Sequence, residues 1–264
     1  MSTITFIGAG NIAQALIGGI IQSHPNAHII ASDPSITQLD KLPPEIRREG
    51  NNVLAVKEAD IVVLCVKPNL VKTVCENLEP LAQGRLFISV AAGITSVSMS
   101  EWLGEGTAII RCMPNTPALI QAGMTGLFAN KHVSPEQKEK AEEILGSVGQ
   151  VQCFEHESEL DIVTAISGSG PAYYFLLMEA MQKAGESMGL SSDIAKKLVL
   201  QTALGAAQMA QDSSLDTNRL RINVTSPGGT TEAALNSMQD AGIQNIIKNA
   251  IKAAHARSIS LSKA

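Results

Sequence analysis

The sequence predicts an α/β protein in which a doubly wound, mainly parallel sheet is followed by an all-helical half. Three observations carry that prediction. Short β-rich apolar runs alternate with helical stretches through the first half of the chain, the βαβα order of a parallel sheet. One run, Ile61-Val62-Val63-Leu64-Cys65-Val66, is apolar at every position, as in a strand covered on both faces. After Glu157 the strand signals stop, and apolar residues recur at helical spacing. Two domains follow, residues 1–157 and 158–264, with the boundary near 155–159.

In chain order, residues 3–7 read as a strand, 12–22 as a helix, 28–32 as a strand and 35–48 mostly as a helix. The apolar strand 61–66 precedes a helix at 69–78, a strand at 86–90 and a short helix at 97–103. Residues 108–112 and 124–129 are strands. Helix 135–146 has Ser134 as its cap and Pro135 at its first position, and 151–154 is the last strand. Beyond it, 160–166, 171–188, 191–211, 230–239 and 244–261 read as helices. The small residues of Ala203-Leu204-Gly205-Ala206-Ala207-Gln208-Met209-Ala210 permit close helix–helix approach, either to a second copy or within an ordinary bundle.

Composition narrows the function. The 264 residues are 45% hydrophobic and 17% charged, as in a soluble globular protein. A net charge of −5 with scattered Lys and Arg argues against nucleic acid or an anionic membrane as partner, and 3% aromatics argue against base-stacking platforms. The four cysteines form no C-x-x-C pair and read as buried, reduced thiols. The five histidines show no ligand spacing, so no metal site is expected. No apolar run approaches the ~18–20 residues that span a bilayer. The N-terminus has no secretory pattern, so the expected location is the cytoplasm.

The motifs are more specific. Gly8-Ala9-Gly10-Asn11-Ile12-Ala13 follows the first strand and opens the first helix, the context of a dinucleotide-binding, Rossmann-type turn. In that reading Gly8 makes the turn, Gly10 lets backbone approach a pyrophosphate, and Ala13 keeps the helix on the sheet. Ser32-Asp33-Pro34-Ser35 ends the second strand. Asp33 either accepts from a ribose 2′-OH, favouring NADH over NADPH, or caps the next helix, while the hydroxyls of Ser32 and Ser35 suit a phosphate. Val66-Lys67-Pro68-Asn69, Ala91-Ala92-Gly93 and Met113-Pro114-Asn115-Thr116-Pro117 end further strands on the ligand-binding edge. Lys67 there either faces the cofactor or is a solvated loop lysine. Ser167-Gly168-Ser169-Gly170-Pro171 breaks a helical stretch, as a bend or as a place where a ligand nears backbone. In Asn223-Val224-Thr225-Ser226-Pro227-Gly228-Gly229-Thr230-Thr231, Pro227 and the glycines forbid a helix that Thr230 then starts. Such a turn is either a plain cap or a site for a small anion such as a carboxylate. No nucleophile elbow, P-loop or His–carboxylate relay is present, which suits a hydride reaction needing little acid–base help.

These motifs, in this order and over the whole length, resemble the Δ1-pyrroline-5-carboxylate reductase family, the serine–glycine break and the 223–231 turn above all. The resemblance implies a Rossmann domain, then a helical dimerisation domain, and NADPH- or NADH-dependent reduction of 1-pyrroline-5-carboxylate to L-proline in a homodimer or homodecamer. It implies pyrophosphate binding by Gly8, Ala9, Gly10, Asn11 and Ile12, and ribose contacts from Asn52, Val66, Lys67 and Pro68. Ala91 and Ala92 would contact nicotinamide, and Asn223 would lie near the cofactor. Ser226, Gly228, Gly229, Thr230 and Thr231 would hold the substrate carboxylate, with Thr231 hydrogen-bonding the ring nitrogen. Asp33 stands where some relatives carry a small hydroxyl residue, which puts NADPH preference in doubt. The alternatives are a β-hydroxyacid or imine dehydrogenase, whose lysine acid/base has only Lys183 as a candidate in residues 161–188, and a non-catalytic dinucleotide sensor.

Overall fold

A computed structural model describes residues 2–262. The described residues form one eight-stranded sheet in the order β3-β2-β1-β4-β5-β6-β7-β8. The strands are β1 (Thr3–Ile7), β2 (His28–Ser32), β3 (Arg47–Glu49), β4 (Ile61–Leu64), β5 (Leu86–Ser89), β6 (Ala108–Met113), β7 (Gly123–Ala129) and β8 (Gly149–Phe154). All neighbouring pairs are parallel except β6 with β7, so β7 and β8 extend the sheet in the reverse direction. The order reverses between β1 and β4, and ligands of such sheets bind outside the carboxyl ends there.

The pleat sends alternate side chains to two separate cores. Ile4, Phe6, Ile61, Val63, Ile88 and Ile110 pack with α1 (Asn11–Ser23) and α6 (Pro135–Gly146). Ile7, Val62, Leu64, Phe87 and Ile109 pack on the other face with α3 (Asn52–Val56), α4 (Pro68–Leu78) and α5 (Ser96–Leu103). Helix α1 buries Ala13, Leu16, Ile17 and Ile20, the one-face spacing of an amphipathic helix. Ser134 and Gln137 close a full capping box at the start of α6.

Four stretches differ from the sequence reading. Residues 35–48 form only a single helical turn, α2 (Ile36–Leu39), because Pro43 and Pro44 interrupt the chain, and Arg47–Glu49 then pairs with β2 as the edge strand β3. The short helix α3 and, later, α10 (Thr217–Asn223) fall in stretches to which the sequence reading assigned no element; Asn51 and Asp216 cap them with their side chains. The helix expected at 160–166 is α7 (Glu159–Val163), which passes into a π-helical segment, Thr164–Gly168.

The remaining helices are α8 (Gly170–Ser187), α9 (Ser192–Asp212), α11 (Thr230–Asp240) and α12 (Ile243–Ser262). By contacts the chain divides into two compact units, one of residues up to Pro171 plus those from Ala253, the other Ala172–Lys252. Helix α7 packs under β6 and β7, burying Leu160 and Asp161, and Ser258 of α12 donates to Asp161 Oδ1 at 2.7 Å.

Candidate active site

Gly8 leaves β1 with φ +95°, and a Cβ there would stand 2.9 Å from the Cys65 carbonyl. Only glycine lets the turn pass this close to the end of β4. Its N–H donates to the Ser32 carbonyl at 2.7 Å. The next N–H, of Ala9, donates to Asp33 Oδ2 at 2.9 Å, and Asp33 Oδ1 accepts from the Ser35 N–H at 2.8 Å. Ser32 Oγ donates to Asn52 Oδ1 at 2.7 Å. Gly8, Ala9, Ser32, Asp33 and Asn52 therefore form one hydrogen-bonded group. Asp33 both caps the turn into α2 and braces the glycine turn.

The start of α1 fits a dinucleotide pyrophosphate. Gly10 is its N-cap, no side chain caps it, and no acidic residue lies in its first turn. Beyond its own chain neighbours, nothing lies within 4 Å of where a Gly10 Cβ would be. Unpaired helix amides under uncovered backbone are the cradle a phosphate needs. Asn11 is exposed at this rim, Ile12 is half-buried and Ala13 fully buried.

The other expected cofactor positions flank this turn. Val66 follows β4 half-buried, its nitrogen 3.1 Å from the Gly8 Cβ direction. Lys67 is the exposed N-cap of α4 and Pro68 its first residue. Ala91 is buried and Ala92 half-buried after β5, with the Ala91 N–H on Ser89 Oγ at 3.3 Å. Gly93, at φ +76°, lies so close to α12 that a Cβ would meet Leu261 Cβ at 2.8 Å.

Within the helical unit, Asn223 ends α10, exposed, three residues before the turn. Gly228 has φ +68°, and Gly229 is the N-cap of α11 with no side-chain cap. The Gly229 N–H donates to Ser226 O at 3.0 Å. The donors that open α11 are therefore the Thr230 and Thr231 amides, the first of the helix. Glu232, given no role in the sequence reading, reaches back to accept from the Gly228 N–H at 2.8 Å. Its signal was its place three residues after the N-cap, the spacing of a capping box. A carboxylate on a turn amide is thus already part of this structure.

Sequence reasoning also missed a buried ionic group. Arg111 of β6, 4% exposed, donates to Glu157 Oε1 at 3.2 Å and lies 3.9 Å from Asp161 Oδ1. Glu157 also accepts from the Ser96 N–H at 2.7 Å and from its hydroxyl. Burial pushes the Cys65 and Cys75 thiols up to about 12, and moves Cys112 in the same direction.

An open glycine turn at the switch point of a mainly parallel sheet, followed along the chain by a helical half, defines a dinucleotide-binding α/β protein of the two-domain oxidoreductase class. A family model described as pyrroline-5-carboxylate reductase dimerisation matches residues 157–261, and one described as NADP oxidoreductase, coenzyme F420-dependent, matches residues 3–93. A Pseudomonas aeruginosa protein named pyrroline-5-carboxylate reductase is 50% identical over 269 residues, covering 100% of this chain and 98% of its own. A solved pyrroline-5-carboxylate reductase from Coxiella burnetii superposes with TM-score 0.94 at 41% identity, over 100% of this chain and 99% of that one. The Plasmodium falciparum pyrroline carboxylate reductase, solved with NADP bound, gives TM-score 0.89 at 32% identity, over 99% and 98% of the two chains. The chain belongs to the pyrroline-5-carboxylate reductase family.

Proposed function

We propose that this chain reduces 1-pyrroline-5-carboxylate to L-proline with NADPH or NADH, the last step of proline biosynthesis. The observation that carries the proposal is the glycine turn, open over the uncapped start of α1, in a chain of this family. Gly8, Ala9, Gly10, Asn11 and Ile12 hold the pyrophosphate. Ser32, Asp33, Asn52, Val66, Lys67 and Pro68 surround the ribose, and Ala91 and Ala92 leave room for a flat ring, with Asn223 near the cofactor. The bound NADPH or NADH supplies the hydride. The turn of Ser226, Gly228, Gly229, Thr230 and Thr231 holds the substrate carboxylate by charge-assisted hydrogen bonds at the helix terminus. The substrate enters as an iminium, so its nitrogen already carries a proton, and Thr231 needs only to orient and stabilise it. Residues 1–157 bind the dinucleotide, residues 158–264 carry substrate binding and dimerisation, and the homodimer, also built into decamers, works in the cytoplasm. No helix among the described residues is long and apolar enough to cross a membrane.

The dehydrogenase alternative needs Lys183 as acid/base. That ammonium is exposed and bonded to Glu179, and the hydrogen bond and charge of Glu179 raise its pKa above the ordinary lysine value. That direction is opposite to the lowering that a lysine base needs. Steady-state reduction of pyrroline-5-carboxylate with NADH and NADPH in parallel, followed by loss of nicotinamide absorbance, tests the proposal. Turnover with either is expected; none with either, from a folded protein that binds cofactor, overturns it.

A further inference from the structure

We propose that Asn115 is a positioning residue for this reaction. Its carboxamide clamps the π-helical segment Thr164–Gly168 to the ligand-binding edge of the sheet, beside the loop of Ala91 and Ala92. The proposal rests on the reading of that loop as the nicotinamide side of the site.

The placement follows from the sheet. Strand β6 runs parallel to β5, so Met113 at its end shares the edge where Ser89 leads into Ala91 and Ala92. Strand β7 returns antiparallel with Gly126 opposite Met113, so Met124 lies at that same edge. Asn115 joins these pieces. Its Nδ2 donates to the Ser167 carbonyl at 3.2 Å and to Ser167 Oγ at 3.3 Å, while its Oδ1 accepts from the Met124 N–H at 2.9 Å.

The clamp answers a defect written into the sequence. In an α-helix the Ser167 carbonyl would accept from the residue four positions on, which is Pro171 and has no N–H. The segment widens, the Ser169 N–H reaching Thr164 O at 2.8 Å, and Asn115 supplies the donor that Pro171 lacks. Gly168 completes the approach, since a Cβ there would stand 2.6 Å from Met113 Cε. Only a side chain with donor and acceptor on one planar carbon makes both halves of this clamp. A π-segment costs helix stability and is typically kept at working sites. Here it sets Gly168 against Met113, at the end of β6. Asn115 touches neither reactant in this scheme; it acts through the shape of the segment.

Asn115→Asp tests the clamp, because the introduced carboxylate keeps the acceptor for Met124 but has no donor for the Ser167 carbonyl until it is protonated. The natural partners, Ser167 and Met124, carry no group that titrates near neutrality. At about pH 8 the kcat of the Asp variant is expected to fall roughly 10–100-fold, with cofactor affinity within about threefold of wild type. As pH falls toward about 5, its kcat relative to wild type should recover, whereas that of Asn115→Ala should not. A wild-type rate in the Asp variant at pH 8, or equal losses in both variants at every pH, overturns the proposal. Amide hydrogen exchange across residues 164–169 reads the clamp without turnover. Faster exchange than wild type is expected in both variants at pH 8, and unchanged exchange overturns the proposal. If wild-type enzyme binds NADH yet does not reduce the imine, the functional reading fails, and the exchange result still decides the clamp.

Discussion

Asp33 gives both carboxylate oxygens to the backbone, one to the Ala9 N–H and one to the Ser35 N–H. In the proposed function it bears on cofactor binding twice, by its charge near the ribose and by its grip on the glycine turn. Asp33→Ser removes both. The kcat/KM with NADH should fall by about tenfold, as for loss of one charged hydrogen bond, and the NADPH-to-NADH ratio should rise at least as much. Parallel kcat/KM measurements decide it; an unchanged ratio would show that the charge plays no part in selection. In the proposed mechanism the nitrogen arrives protonated, so Thr231→Ala should cost about 1–3 kcal/mol of barrier, read from kcat. A million-fold loss would instead make Thr231 an essential proton donor. The thiols set an alkaline limit. Cys65 and Cys75 are raised by burial from 9.0 to about 12, so below pH 9 both native and unfolded chains keep them protonated. Between 9 and 12 the unfolded chain loses protons that the native one retains, so stability falls as pH rises through that window. Denaturation midpoints taken from about pH 8 to 11 should decline, and less steeply in Cys65→Ala.

Among the elements, the group around Arg111 joins the most distant parts of the chain: β6, the start of α5, α7 and, through Ser258, α12. An isolated buried charge costs more than a pair, so Glu157→Ala, which strands Arg111, should lower unfolding free energy by about 3–5 kcal/mol. Urea midpoints at fixed protein concentration check this, and a change below about 1 kcal/mol would mean that the Arg111 charge finds water or Asp161 instead. Nothing in the sequence announces this group, since its members lie tens of residues apart and each reads alone as an ordinary surface charge. What was legible had local causes. The one-face spacing of α1, the all-apolar run of β4 and the Ser134–Pro135 start of α6 each depend on neighbours within a few residues. The failure at 35–48 has a local cause as well, because Pro43 and Pro44 outweigh the helical spacing around them. The short helices α3 and α10 were missed because their stability lies in the caps Asn51 and Asp216 rather than in an apolar face. The glycine turn showed at once, as a pattern of adjacent residues. The bond from Ser32 to Asn52 did not, because only the fold brings them together.

At the scale of the whole molecule, the helical unit cannot satisfy its own composition. On α8, Tyr174, Phe175 and Leu176 are 66%, 63% and 67% exposed, and on α9 Leu198, Leu204 and Met209 are 55%, 54% and 60% exposed. Helix α9 buries only Ala195 and Val199 along its 21 residues. Monomeric proteins rarely leave apolar faces of this size in water, and at about 25 cal/mol per Å² a partner covering them gains substantially. The small-residue run 203–210, which suited either a bundle or a second copy, includes the exposed Leu204 and Met209. The family's dimerisation model also covers these helices. A homodimer is therefore the smallest stable form to expect. Leu204→Glu places a charge where apolar contact is required, and sedimentation should show the species moving from dimer or larger toward monomer. Proline formation should fall with the dimer fraction, while NADH affinity, which the proposed function assigns to the glycine turn, should stay within about twofold. Wild-type chains that sediment as monomers at micromolar concentration would refute the interface. A monomeric variant at full turnover would instead keep the interface and show that one chain carries the complete reaction.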